Sequence, residues 1–296
     1  MEDYAVAIIA GIVFGFAARW FMLKSDYRYY PTYPHGHVTH LSLGFIAAGL
    51  GAVAIPAIAE PDYVAITFLA LAAQQFRDIR TMERETLKEA DENKLIGRGP
   101  DYIEGIAKVF EARNYLVILI AIFNSGIAFW LDWYWVLITG PLSIFLIIKL
   151  MSGIIIGDIA EVVESKLHFE GSLLMVEDVV IMNVGLEETR EKILNEGLAV
   201  LIKPKDDNAR ATLHSPGQRM AILYDAVSIL GTKVDINEPE LMPLARKNID
   251  EGYLGFFLLP NEPDIKYLVE IIKRVPVLEA TRGTPLSSLY GRKAAD

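Results

Sequence analysis

Two aspartates could do chemistry together. Asp78 follows an apolar run in Gln74-Gln75-Phe76-Arg77-Asp78, and Asp158 closes another in Gly153-Ile154-Ile155-Ile156-Gly157-Asp158. Two close carboxylates cannot both ionise, so one stays protonated as an acid while the other activates water. The plainer reading makes both ordinary interfacial charges, Asp78 beside Arg77 and Arg80. A second constellation is His35, His37 and His40 with Asp158, Glu161 and Glu164. Imidazole and carboxylate together suit zinc or iron, but the first two histidines lie in a Pro-Gly loop, and the reading here is no metal. Ser215 beside His214 lacks a GxSxG elbow and is explained as a helix cap. Without cysteine, thiolate nucleophiles and Cys-based metal sites are excluded. No cofactor is expected.

The elements that position these groups divide the chain. Residues 1–157 carry long apolar runs, and residues 165–296 read as a water-soluble sequence. A helix needs about 20 apolar residues to cross a bilayer core. Five runs are candidates: Tyr4 to Leu23, Val38 to Ala59, Tyr63 to Phe76, Tyr115 to Leu131, and Trp133 to Met151 or Gly157. If the last reaches Gly157, Lys149 lies inside the membrane. The acidic start, Met1-Glu2-Asp3, is not a cleavable signal. With the N-terminus outside, Arg19, Lys24, Arg28, Arg77, Arg80, Arg84, Lys88, Lys94 and Arg98 all fall inside, as the positive-inside rule asks. Trp130, Trp133, Tyr134 and Trp135 form an outer aromatic belt, and Tyr27, Tyr29, Tyr30 and Tyr33 an inner one. Gly11 and Gly15, then Gly44, Gly49 and Gly51, suit close helix packing within the bundle, with a homo-oligomer as the sharper alternative.

Between the third and fourth runs lies a charged connection, 77–114. Its first part extends the third helix to Leu95, and Leu95-Ile96-Gly97-Arg98-Gly99-Pro100 breaks it. Asp101 and Glu104 then stand at capping-box spacing, and Ile103, Ile106 and Phe110 share a helical face. Gly105 in that turn lowers helix stability by about 1 kcal/mol relative to alanine, which close approach of another backbone would explain.

Two resemblances follow. Gly157-Asp158 is similar to half of the motif of membrane aspartyl proteases of the GxGD class, although Ile155 stands where the first glycine belongs. That resemblance implies Asp78 and Asp158 as the catalytic pair. The segment Tyr102-Ile103-Glu104-Gly105-Ile106-Ala107 spells YIEGIA. The chain resembles the family of membrane proteins from endospore-forming bacteria that carries this name, with its apolar first half, motif and soluble C-terminal domain in the same order. The resemblance implies a role in sporulation and a small capping subunit as partner, with Tyr102, Ile103, Glu104, Gly105 and Ile106 as the surface that binds it. It carries over no catalytic residue.

The C-terminal part alternates strands and helices. Leu173 to Val184 reads as one or two strands and Leu186 to Glu196 as a helix. Leu198 to Ile202 is a strand, Lys203 to His214 a polar loop, and Ser215-Pro216-Gly217-Gln218 opens a helix ending at Gly231. Glu240 to Glu251 reads as a helix, Leu254 to Leu259 as a strand, Asp264 to Arg274 as a helix and Val277 to Ala280 as a strand. This order indicates an α/β domain, whose strand ends would offer Lys203, Lys205, Asp206, Asp207, Asn208, Arg210, Asn261 and Glu262. The segment from Arg282 reads as a loose tail, with Leu286, Leu289 and Tyr290 able to dock on a partner.

The expected fold is therefore an α-helical polytopic membrane bundle of five spans, N-terminus out, plus a C-terminal cytoplasmic α/β domain, divided at 1–164 and 165–296. The expected function is a sporulation-associated membrane scaffold or regulator that presents the α/β domain to a small protein subunit. The alternative is the membrane aspartyl protease. The expected location is a cell or spore membrane. A net charge of −10 argues against nucleic acid as a partner.

Overall fold

The computed structural model describes residues 2–23, 34–59, 62–76, 78–92, 94–150, 153–234 and 241–282. The inner aromatic belt, Lys24, Arg28, Arg77 and the docking residues Leu286, Leu289 and Tyr290 lie outside them. The chain packs as two units: Met1–Thr86 with Ile106–Ser152, and Leu87–Gly105 with Gly153–Asp296.

The first unit is helical. It holds α1 (Glu2–Leu23), α2 (Pro34–Ala59), α3 (Tyr63–Phe76), most of α4 (Ile79–Asp91), most of α5 (Pro100–Trp130) and α6 (Val136–Leu150). Its core mixes small side chains with larger ones, among them Ala18, Ala47, Ala48 and Ala121 with Met22, Phe76, Phe110 and Val117. A Cβ on Gly11 would stand 2.7 Å from the Ala52 Cβ, so the first glycine of the GxxxG pair serves packing within the chain.

This is not a five-span bundle. Among the described residues, two helices are long and apolar enough to cross a membrane, over Tyr4–Leu23 and His37–Ala59. The third run gives a helix of 14 residues that stops at Phe76, and α4 begins afresh at Ile79. The run from Tyr115 is the tail of α5, whose earlier turns carry Asp101, Glu104, Lys108, Glu111 and Arg113. The last run starts with a tight turn, Trp133–Trp135, and yields 15 residues with Pro141 inside. Apolar composition does not guarantee a span when turns divide it.

Gly153 to Asp158 continues none of these helices. Ile155 bridges Pro276, the Ile156 N–H donates to the Val275 carbonyl, and the Val277 N–H donates to the Ile154 carbonyl. Ile156 is fully buried in the second unit.

The second unit carries α7 (Ile156–Ile159), β1 (Ala160–Ser165), β2 (Leu167–Glu170), β3 (Leu173–Val176), β4 (Val179–Asn183), α8 (Glu187–Glu196), β5 (Leu198–Pro204), α9 (Asp207–His214), α10 (Pro216–Leu230), β6 (Leu244–Lys247), β7 (Leu254–Leu258) and α11 (Ile265–Arg274). Its sheets run β1-β5-β7-β6 and β2-β3-β4, and every pairing is antiparallel. The expected α/β domain is thus corrected to antiparallel sheets with helices. The expectation followed the order of strands and helices but missed β1, β2 and β6, of which β1 and β6 supply both edges of the larger sheet.

Local corrections have local causes. The segment expected as a helix around residues 241–251 contains β6 and a turn; Glu240 lies outside the described residues. Pairing of Leu244–Lys247 with β7 overrides its helical composition. The polar loop contains α9, capped by the Asp206 carboxylate, which accepts from the Ala209 N–H at 2.7 Å. Ser215 stands at the cap of α10 with no side-chain cap bond, and Pro216 follows in the first turn. Residues Glu279–Thr281 form a 3-10 turn rather than a strand. β7 is buried along its whole length, because the smaller sheet lies on one face of its sheet: a Cβ on Gly255 would come within 2.9 Å of Val179.

Candidate functional site

The motif opens α5. The helix starts at Pro100, so Asp101 falls in its first turn rather than at the cap. Gly99 precedes it at φ +80, a conformation glycine adopts without strain. Tyr102, Ile103 and Ile106 are buried, at 1%, 4% and 4% exposure, while Glu104 and Gly105 are half-buried. Three of the five residues expected to face a partner are therefore covered by the chain itself.

Tyr102 ties the motif to α10. Its hydroxyl donates to Asp225 Oδ1 at 2.9 Å, and both residues are buried. Its ring meets Tyr224 edge-to-face at 6.1 Å between centroids. A buried carboxylate needs donors, because an unmet one costs several kcal/mol. Tyr224 is held from its other side: Lys94 Nζ donates to its hydroxyl at 2.8 Å, and the Arg98 guanidinium stacks 4.6 Å from the ring centre. Arg98 is in turn paired with Asp91, which also accepts its backbone N–H. A continuous set of contacts thus runs Asp91–Arg98–Tyr224–Tyr102–Asp225. Gln218 on α10 completes the clasp. Its amide donates to the Pro276 carbonyl, and its carbonyl accepts from the Leu278 N–H and the Thr281 hydroxyl.

Asp225, Tyr224, Arg98 and Asp91 had no functional reading in the sequence. One signal was present: Asp225 is a lone acid within Ala221-Ile222-Leu223-Tyr224-Asp225-Ala226. Gly105 also differs from expectation. A Cβ there would meet only Leu278 Cδ2, at 3.7 Å, which is ordinary contact and not backbone approach.

The expected catalytic aspartates lie in different units, Asp78 in the first and Asp158 in the second. Both are exposed. Asp158 Oδ2 accepts from the Ile155 N–H at 3.0 Å, closing the turn of α7, and Lys205 donates to the backbone carbonyls of Gly157 and Asp158. His40 is buried in the first unit, its Nδ1 3.4 Å from Arg19 Nη2 and its ring 4.5 Å from Phe110. The side chain of His35 lies outside the described residues. Among the described residues, no three His, Asp or Glu groups converge to hold a metal.

Arg19, which the sequence placed at the inner boundary, is fully buried in the first unit. Gly44 makes room for it, since a Cβ there would collide with the Arg19 side chain. Its guanidinium lies 5.5 Å from the Phe110 ring centre.

The chain is 45% identical over 279 residues to the Bacillus subtilis (strain 168) protein named "Uncharacterized protein YphB", and the match covers 94% of each chain. No solved structure matches it. The YIEGIA protein model matches residues 7–288, well beyond the hexapeptide. The clasp built by Tyr102 sits within that span, and the chain belongs to the YIEGIA protein family.

Proposed function

We propose that this chain is a membrane-associated scaffold or regulator of sporulation, which inserts apolar helices of its first unit and presents its second unit to a small protein subunit. The observation that carries the reading is the outward-facing apolar surface of the first unit. Ile9, Trp20, Phe45, Phe68, Leu71 and Phe145 are each more than half exposed. Large apolar side chains turned outward in this number fit a membrane or protein interaction site. The two long apolar helices, α1 and α2, supply bilayer length. Kinship with a protein of Bacillus subtilis, an endospore former, supports the sporulation context.

The motif then works as an internal clasp. It holds residues 87–105 on α10 and so shapes the surface a subunit would meet. The protease alternative has weaker support, because Asp158 already caps its own turn and both aspartates are exposed.

The test is a pull-down of the tagged full chain from membranes of sporulating cells, as wild type, Tyr102→Phe and Asp158→Asn. The scaffold reading expects one small protein with wild type and Asp158→Asn, and less of it with Tyr102→Phe. Proteins that are cleaved in wild-type cells but accumulate intact with Asp158→Asn would replace it with the protease.

A further inference from the structure

A patch of cations lies where α9, α10 and the edge strand β6 meet. Arg210 and His214 come from α9, Arg219 from α10, and Arg246 and Lys247 from β6. They sense one another. Burial holds the His214 imidazole below its ordinary value, the bond to the Gly252 carbonyl opposes this, and Lys247, Arg210 and Arg219 push it further down. Burial and then Arg246 act on Arg219 in the same sense. In a chain of net charge −10, this is a local reversal of sign.

Three of the groups, Arg210, His214 and Arg219, are fixed in place, and by neutral acceptors. Arg210 Nη2 donates to the Ile249 carbonyl at 2.6 Å and to the Asp250 carbonyl at 3.3 Å. Arg219 Nη1 donates to the Ala245 carbonyl at 3.2 Å, and His214 Nε2 lies 3.1 Å from the Gly252 carbonyl. Carbonyls orient a guanidinium without cancelling its charge. Among the described residues, no carboxylate lies within ion-pair distance of Arg210, Arg219, Arg246 or Lys247. Gly252 makes the arrangement possible. Its φ is +81, and a Cβ there would stand 2.8 Å from Arg210 Nε, so only glycine lets that side chain lie on the turn between β6 and β7. The Arg219 Nε is buried with no hydrogen-bond partner, which leaves a donor to satisfy.

We propose that Arg210, His214, Arg219 and Lys247 form a binding site for a phosphate-type oxyanion, with Arg246 adding to its field. Planar guanidinium forks match phosphate oxygens two at a time, and lysine adds a point charge. The phosphate could be carried by a soluble compound or by a lipid headgroup; the chemistry at the site is the same. The inference does not depend on the membrane role of the first unit.

The test is calorimetry on the full chain in nonionic micelles, titrated with pyrophosphate and, separately, with short-chain phosphatidic acid and phosphatidylcholine. The proteins are wild type, Arg210→Gln/Lys247→Gln, and the control Lys266→Gln on α11. Wild type and control should bind a phosphate monoester or pyrophosphate alike, and the double variant about tenfold or more weakly. Binding should also raise the pKa of His214, read by NMR. Binding of pyrophosphate places the source in solution. Binding of phosphatidic acid alone, with the same loss in the double variant, places it in the membrane. No binding by wild type overturns the site, as does equal binding by the double variant with no movement of His214. Displacement by poly-glutamate and not by phosphate also overturns it, in favour of an acidic peptide.

Discussion

The first unit turns large apolar side chains outward, and the second turns them inward. In α6, Phe145 is 63% exposed; in β7, Phe256 and Phe257 are fully buried between layers. Both units also bury arginine, Arg19 at 0% and Arg113 at 7% in the first and Arg98 at 1% in the second. A protein interior normally excludes charge and takes in apolar groups. Buried arginine therefore does not separate the units; the outward-facing apolar side chains of the first do, and they fit the membrane surroundings proposed for it. Polar residues are the internal adhesive where no water competes. Ser125 donating to the Ala52 carbonyl and Asn124 contacting Ser143 are examples.

The contrast can be broken by matched truncations. Phe257→Ala should destabilise the second unit by about 3–5 kcal/mol, the usual loss for a buried phenylalanine, whereas Phe145→Ala should leave unfolding in detergent nearly unchanged. Denaturant titrations followed by circular dichroism check both. Equal losses would mean that Phe145 is covered within the fold. The clasp comes next. Tyr102→Phe removes one donor from the buried Asp225 carboxylate, and should cost about 1–3 kcal/mol with increased hydrogen exchange in residues 94–105. Gly105→Ala should act in the opposite direction, stabilising by about 1 kcal/mol, because the added methyl meets only Leu278 at contact distance. A loss there would reveal a neighbour that the fold does not show. The smallest effect concerns pH. Since His214 titrates below 6.5 when folded, its neutral form favours the fold. Its contribution is complete above pH 6.5 and declines as pH falls below that value. His214→Gln should flatten this part of the stability–pH curve.

What the sequence disclosed depended on how local the cause was. Runs such as Leu254 to Leu258, and the helix from Asp264, whose carboxylate accepts from the Tyr267 N–H, act over a few residues and were readable. The five-span count failed because hydropathy cannot see where a chain turns, at Asp78 or at Trp133–Trp135. The antiparallel sheets were hidden because β1 and β6 are short and mixed in composition, and gain their state from β5 and β7. The motif was legible as a name and as an amphipathic turn. Its purpose was not, since Tyr102 acts through Asp225, a partner 123 residues away. Nothing in the spacing of Asp78 and Asp158 revealed that they belong to different units.

All four tryptophans, Trp20, Trp130, Trp133 and Trp135, lie in the first unit and are exposed there. This permits the most direct measurement: their fluorescence in bilayers containing lipids brominated along the acyl chain. If hydrocarbon surrounds the first unit, the emission is blue-shifted and strongly quenched, while acrylamide in the water quenches it weakly. Emission typical of water, unchanged by brominated lipid and readily quenched by acrylamide, would contradict the membrane role proposed for the first unit.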